Sequence, residues 1–324
     1  MNVRRLIPAA ALAGAVALGA SALTACSGAS AAGNTDGKLD VVASFYPLQF
    51  LAEQIGKEHA VVSSLTKPGV EPHDLEITPR QTAALDEADV ALYLKSLQPA
   101  VDKAVDQSQV KTKIDAAGLT TMEAHGAGDG HDHGAEDAEH GHDDGHGHGE
   151  AGEDPHVWLD PVKYAEIARG VGKAFEKADP DHAADYRKNT EALTAELAAL
   201  DTEFKNGLKT SAGKTFITTH AAFGYLAERY GLDQEGITGV DPESEPSPAR
   251  IKELQALAKK EQVSTVFFET LASPKTADTL ANDLGLETDV LDPLEGITDT
   301  SQGKDYFEVM RANLKNLEKA LGAK

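Results

Sequence analysis

The sequence predicts an α/β protein with two lobes, each built on a parallel sheet, and one long helix between them. Short apolar runs alternate with amphipathic stretches in residues 38–178 and again in residues 209–324, a pattern typical of βαβ units. A long amphipathic stretch, residues 179–208, separates the two halves. A chain of 324 residues, even without the N-terminal leader described next, also exceeds one usual domain.

Residues 1–25 have the order of an export signal: two arginines, then the apolar stretch LIPAAALAGAVALGASAL, then LTAC. The LTAC ending at Cys26 resembles a bacterial lipobox, where the signal peptidase cuts before the cysteine and the cysteine is lipidated. We therefore expect a lipid anchor on the extracytoplasmic face of the cell membrane, with residues 26–37 as a flexible tether. The alternative is an ordinary secretory signal with an incidental cysteine. Cys26 is the only cysteine in the sequence, so an internal disulfide is excluded.

The composition is strongly acidic. The net charge is −23, and removal of the leader with its two arginines makes it −25. Such a charge argues against nucleic acid or an anionic surface as a partner and favours a cation. After the leader, the sequence contains no apolar run near the ~20 residues of a membrane span. We expect an acidic, monomeric protein tethered outside the cytoplasmic membrane.

The first half is expected to contain four strands and three helices. The strands are LDVVASFY, AVVSSLT, DVALYL and TKIDAAGL, which begin at residues 39, 60, 89 and 112. The helices are PLQFLAEQIGK, TPRQTAALDEA and SLQPAVDKAVDQ. Pro47 stands at the start of the first helix and Thr78 at the cap position of the second, and both are helix-start signals.

Residues 121–154 interrupt this pattern. The sequence has no aromatic residue between Tyr93 and Trp158 and no basic residue between Lys113 and Lys163. Such a segment cannot bury enough apolar surface to offset the entropy of ordering, so we expect a disordered insertion. Its composition predicts loose binding of several metal ions, and the alternative is a solvated linker without a role. The seven histidines of the insertion are His125, His131, His133, His140, His142, His146 and His148.

Two helical stretches follow the insertion. The first is VKYAEIARGVGKAFEKA, and the second runs from about Pro180 to Leu208. The large apolar residues of the second form one stripe, as in an amphipathic helix that could cross a domain: Tyr186, Leu193, Leu197, Leu200, Phe204 and Leu208.

Strands and helices then alternate again. The expected strands are KTFITTH, VSTVFFE and ETDVLD. The expected helices are AAFGYLAERYG, SPARIKELQALAKKE, SPKTADTLANDLG and GKDYFEVMRANLKNLEKALG. Gly231 closes the first of these helices, and Ser247 caps the second.

Three histidines share one context. His73 lies in PGVEPHDLEITP after a strand, His156 lies in EDPHVWLDP, and His220 ends TFITTH. Open α/β sheets place ligands at such strand ends, and a neutral imidazole offers a lone pair to a metal ion. Asp292 and Glu295 follow a later strand and can supply a carboxylate oxygen. The spacing matches no short metal motif, and a lone histidine near a strand end is more often a hydrogen-bonded loop residue.

The segments PHDLEITP, DPHVWLDP, THAAFGYLAERYGL and SPARIKEL, in this order after a lipobox, resemble the metal-binding lipoproteins of bacterial ABC transporters. These are the substrate-binding subunits for zinc and manganese, and the resemblance covers the chain from about residue 39. It implies two Rossmann-like lobes joined by a rigid helix, with metal held in the cleft. By the matching motifs it implies His73, His156 and His220 as ligands, with Glu295 favoured and Asp292 the alternative for the fourth.

Manganese relatives tend to carry a carboxylate at the position of His220, and three imidazoles with one oxygen suit Zn²⁺ better than Mn²⁺. The histidine-rich insertion is likewise typical of the zinc branch. The expected function is therefore capture of Zn²⁺ and its delivery to an ABC permease and its ATPase. A manganese carrier, a metal-storage or adhesion lipoprotein and a zinc hydrolase are the alternatives. The sequence contains no Ser-His-Asp, phosphate-loop or HExxH motif, and we expect no catalysis.

Overall fold

The computed structural model describes residues 37–125, 153–271 and 274–323. In these ranges eight strands and nine helices follow one another. The strands are β1 (Leu39–Ala43), β2 (Ala60–Ser64), β3 (Val90–Tyr93), β4 (Thr112–Asp115), β5 (Thr215–Thr218), β6 (Asp233–Gly236), β7 (Thr265–Phe268) and β8 (Glu287–Val290). The helices are α1 (Tyr46–Gly56), α2 (Pro79–Glu87), α3 (Pro99–Gln107), α4 (Pro161–Ala178), α5 (Ala183–Leu208), α6 (Gly224–Tyr230), α7 (Pro248–Lys260), α8 (Lys275–Leu284) and α9 (Tyr306–Ala320).

Two parallel sheets form the centres of two lobes. Their strand orders are β2-β1-β3-β4 and β6-β5-β7-β8, so both sheets have the same topology. In each sheet the strand order reverses between the two central strands, and this switch point leaves a crevice at their carboxyl ends. Val41 pairs with Val62 and Val90 in the first sheet, and Ile217 pairs with Val266 in the second. The predicted α/β fold with two parallel sheets is confirmed.

The main differences from the predicted elements concern β6, the end of β4 and the start of α5. Strand β6 was missed because its sequence, DQEG, is polar and it lies at the edge of the sheet. The predicted strand TKIDAAGL ends at Asp115, whose side chain accepts a hydrogen bond from the backbone N–H of Ala117 and starts a 3₁₀ turn. The long helix begins at Ala183, after a 3₁₀ turn over Pro180–His182.

The 26-residue helix α5 spans about 39 Å and connects the lobes. Its predicted apolar stripe is buried against the core. Helix α4 packs along it, and a Cβ at Gly172 would overlap the side chain of Thr190, so glycine allows the close approach of the two helices. Among the described residues no helix combines the length and the apolar character that crossing a membrane requires.

Helix α9 makes a second connection between the lobes. Its Tyr306 stacks on Phe50 of α1 with ring centroids 5.6 Å apart, and the Tyr306 hydroxyl donates to the carbonyl of Trp158 at 2.7 Å. The Trp158 indole N–H donates to the carbonyl of Pro293, also at 2.7 Å. One continuous buried cluster of apolar side chains includes residues of both lobes. The loops that carry His156 and Glu295 are therefore joined directly, two residues from each side chain.

Candidate metal centre

Four side chains from four loops meet between the two sheets. His73 lies in the loop after β2, His156 before α4, His220 after β5 and Glu295 after β8. Their donor atoms all lie within 4.8 Å of one another. The side chains of His156 and Glu295 are 0% exposed, that of His220 is 1% exposed and that of His73 is 11% exposed. The cluster is closed from solvent except on the side of His73.

The loop after β8 directs Glu295 into the cluster through an unusual backbone conformation. Leu294 has a φ of 60°, a left-handed value that is strained for a leucine. Complete burial of Leu294 and a 2.8 Å hydrogen bond from its N–H to Asp292 Oδ1 hold this conformation. Asn313 of α9 fixes Asp292 in turn, because its side chain bonds both the N–H and the carbonyl of Asp292.

Four of the six donor separations match those around a tetrahedral zinc ion. A tetrahedron with metal–ligand bonds of 2.0–2.1 Å has edges of about 3.3–3.4 Å. Oε1 of Glu295 lies 3.3, 3.1 and 3.3 Å from Nε2 of His73, His156 and His220, and the last two nitrogens are 3.3 Å apart. Oε2 of Glu295 is buried and has no hydrogen-bond partner in the described part of the chain, a deficit that a bound cation would relieve.

Two further carboxylates orient the imidazoles from behind. Asp154 Oδ1 lies 2.7 Å from Nδ1 of His156, and Glu269 Oε1 lies 2.6 Å from Nδ1 of His220. Carboxylates in this position fix the tautomer that presents Nε2 to a metal and raise the basicity of the ligand. Sequence reasoning assigned neither residue a role. The available signals were that Asp154 precedes His156 by two residues and that Glu269 ends the strand beside β5.

The electrostatics of the metal-free cluster favour charged pairs. Burial lowers the pKa of His220, but the charge of Glu269 and hydrogen bonds to Glu269 and Glu295 outweigh it, and the net pKa lies well above the usual range. The pKa of His156 is also raised, since Asp154 and Glu295 together overcome burial. Burial raises the pKa of Glu295, yet hydrogen bonds from the three imidazoles hold it well below its usual range. Glu295 is therefore ionised and available to a cation.

Asp292, the alternative fourth residue, lies outside the cluster. Its Oδ1 accepts the N–H of Leu294, and its Oδ2 accepts the hydroxyl of Thr270 at 2.9 Å. Burial raises the pKa of Asp292 to about 6, although these two hydrogen bonds oppose the shift. Asp292 shapes the loop that carries Glu295.

The other predicted residues lie in several places. His125 belongs to a second group with Glu123 and Glu228. Cys26 and the other six histidines of the insertion lie outside the described residues: His131, His133, His140, His142, His146 and His148. His59 and His182, which belong to neither group, are half-buried and stack on each other with centroids 4.0 Å apart.

The chain has two α/β lobes with parallel sheets, and three histidines and one glutamate cluster between them. This architecture is that of a two-lobed binding protein with a candidate metal site. The profile of the family described as zinc-uptake complex component A, periplasmic (ZnuA), matches residues 41–320. The chain belongs to this family.

Named relatives and a solved structure agree with this membership. The high-affinity zinc uptake system protein ZnuA of Bacillus subtilis is 38% identical over 308 residues, which cover 92% of this chain and 93% of that protein. The zinc-binding lipoprotein AdcA of Streptococcus pneumoniae is 37% identical over 91% of this chain, but this chain spans only 58% of AdcA. The crystal structure of Zn(II)-bound AdcA from S. pneumoniae superposes with a TM-score of 0.71 at 34% identity, and the match covers 89% of this chain and 59% of that one.

Proposed function

We propose that this protein is the extracytoplasmic zinc-binding component of an ABC-type uptake system. Zn²⁺ is its cargo, bound by His73, His156, His220 and Glu295 and passed to a membrane permease that works with an ATPase. The observation that carries this proposal is the set of donor separations of 3.1–3.3 Å among buried nitrogen and oxygen atoms. These four separations match the edges of a tetrahedral zinc site.

Zinc is favoured over manganese by the donor chemistry and by the relatives. Three imidazoles and one carboxylate oxygen suit a borderline ion, whereas Mn²⁺ prefers oxygen and lies lowest in the affinity order. The relatives named above are zinc proteins by their names. We therefore propose a strong preference of the centre for Zn²⁺.

We propose that the centre transports its ion and does not catalyse a reaction. Catalytic zinc sites usually have three protein ligands and keep one position for water or substrate. Here Glu295, which is completely buried, is the proposed fourth ligand and would leave no position for water. This argues against the hydrolase alternative, and the presence of one buried four-residue cluster in the described ranges argues against a storage protein with many equivalent sites.

The cellular location and the domain limits belong to the same proposal. AdcA is named a lipoprotein, and the LTAC motif that ends at Cys26 is compatible with lipidation of that residue. We propose anchoring on the extracytoplasmic face of the membrane, with lobes at residues 38–178 and 209–324 linked by residues 179–208. The seven histidines of the insertion, residues 121–154, are proposed to bind further zinc ions more weakly than the centre, because binding by a loop carries an entropic cost of ordering.

Isothermal titration of the metal-stripped mature chain with Zn²⁺ and Mn²⁺ tests the proposal. The variant is His220→Ala, and the matched control is His182→Ala, which removes a half-buried imidazole from the surface between α4 and α5. We expect one tight zinc site that is lost in His220→Ala and kept in His182→Ala. Many weak equivalent sites that do not change in His220→Ala would instead indicate storage, and tighter binding of Mn²⁺ would indicate a manganese carrier.

A further inference from the structure

A second group of possible ligands lies at the surface between the two lobes. It comprises Glu123 and His125, which precede the histidine-rich segment, and Glu228 of α6. Nε2 of His125 lies 3.0 Å from Oε2 of Glu228 and 3.9 Å from Oε2 of Glu123. The side chains of Glu123 and Glu228 are 33% and 61% exposed, so an ion in solution can reach the group.

A carboxylate orients the ring of His125, as is usual for metal-binding histidines. Its Nδ1 lies 2.9 Å from Oδ2 of Asp154, a completely buried carboxylate whose other oxygen orients His156. A hydrogen bond from Nδ1 to a carboxylate leaves the Nε2 lone pair free for a metal. Nε2 faces the two glutamates. One aspartate thus orients an imidazole of the buried centre and the imidazole of the surface group.

The backbone around His125 is built to keep this position. A Cβ at Gly224 would overlap Cβ and Cγ of His125 and lie 2.8 Å from its Nδ1, so the ring can pack here only against a glycine. The ring also meets Tyr225 edge-on, with centroids 4.5 Å apart. The Tyr225 hydroxyl accepts the N–H of Glu123 at 2.8 Å, and the N–H of Asp154 donates to the carbonyl of Glu123 at 2.8 Å.

The charges of the group suit a cation. Three carboxylates, those of Glu123, Asp154 and Glu228, surround the ring of His125. The ammonium of Lys163 neutralises part of this charge, but it bonds Oε1 of Glu123 at 2.6 Å and leaves Oε2 facing the imidazole. The two glutamate oxygens and the ring nitrogen therefore converge on one volume with a net negative charge.

We propose that Glu123, His125 and Glu228 form a second site for a borderline divalent cation, distinct from the buried centre and weaker than it. One imidazole nitrogen and two carboxylate oxygens supply three ligands, and solvent completes the coordination because the site is open. Zinc is the expected ion, and this identity rests on the proposed function. The site requires no residue of the segment 126–152, so it differs from loose binding by that segment.

The test uses the full mature chain with six histidines of the segment 126–152 changed to glutamine, so that their zinc binding is removed while the length is kept. Isothermal titration of this metal-stripped protein with Zn²⁺ should show a tight class of one ion and a weaker class of one ion. Glu228→Gln should weaken the second class by at least about tenfold, as expected for loss of a metal ligand. Glu191→Gln, an exposed position on α5, makes the same charge change as a control and should alter neither class.

Gly224→Ala is a second variant that removes no charge. Its added methyl group should displace the ring of His125 and weaken the second class while the tight class remains. A titration with only one class in the glutamine background, or a second class that Glu228→Gln and Gly224→Ala leave unchanged, would overturn the second site. Loss of the tight class in the glutamine background would instead count against the proposed function, so the two failures can be told apart.

Discussion

Glu269, the carboxylate next to Nδ1 of His220, allows a test of how the centre obtains its affinity for zinc. Glu269→Gln keeps the size of the side chain but removes a charge 2.6 Å from Nδ1 of His220. Loss of such a carboxylate typically lowers metal affinity by about 10–100-fold, which corresponds to about 1.4–2.7 kcal/mol. We expect a loss in this range for zinc near neutral pH, measured by competition with a chelator of known affinity.

The same substitution should change the pH dependence. The charge of Glu269 is the largest contribution that raises the pKa of His220, while burial lowers it. Without that charge the pKa of His220 falls, so protons compete less with zinc as the pH decreases. The variant should therefore bind more weakly than wild type near neutral pH but lose less affinity on acidification. A residue that only supported the fold would not produce this flatter profile.

Glu243→Gln is the matched control, because Glu243 is exposed in the same lobe. Circular dichroism of both variants shows whether the lobes remain folded. Unchanged zinc affinity in Glu269→Gln would refute the supporting role of the carboxylate. A loss of affinity with a wild-type pH profile would refute the electrostatic part of the reasoning.

Three further predictions follow from the same contacts. Protons compete with zinc for the imidazoles, and because the pKa values of His156 and His220 are raised, this competition begins above the usual histidine pKa of about 6.5. The affinity for zinc should therefore fall from about pH 7.5 to about pH 5. Equal affinities at these two pH values would contradict the prediction. Glu295→Gln should weaken zinc binding by at least about tenfold, whereas Asp292→Asn should retain a tight site in the same chelator competition. Trp158→Phe removes the hydrogen-bond donor to the buried carbonyl of Pro293 and should lower the free energy of unfolding by about 1–3 kcal/mol. Urea denaturation measures this change, and an unchanged midpoint would contradict the prediction.

The elements that follow clear local patterns could be predicted from the sequence. The stripe of α5 repeats with helical spacing, and β1 and β7 are apolar runs that are each followed by a helix. Strand β6 has no such pattern. Its DQEG sequence becomes a strand because the backbone of β5 pairs with it, from Thr215 opposite Asp233 to Thr218 opposite Gly236. Pairing of this kind depends on the sheet as a whole and leaves no signal in four polar residues.

The sequence also predicted only part of the candidate site. The position after a strand or in a loop indicated three histidines as candidate ligands. It did not decide whether Asp292 or Glu295 is the fourth ligand, because both residues follow β8. The difference between them depends on distant partners. Thr270 binds one oxygen of Asp292, and Asn313 fixes the backbone of Asp292. The segment LDPLEGIT contains the local contact between Leu294 and the other oxygen, but it contains neither of these distant partners.

The contact between Trp158 and Pro293 bears on how the centre takes up and releases its ion. The indole hydrogen bond lies two residues from both His156 and Glu295 and joins loops from different lobes. Tyr306 ties the carbonyl of the same tryptophan to α9. Because these contacts hold the donor atoms at separations that suit zinc, little ordering remains to oppose binding, and preorganisation of this kind increases affinity. The same contacts resist separation of the lobes. Under the proposed function, release to a permease requires either breaking the link between Trp158 and Pro293 or withdrawing His73, the cluster member with the most solvent access, from the ion.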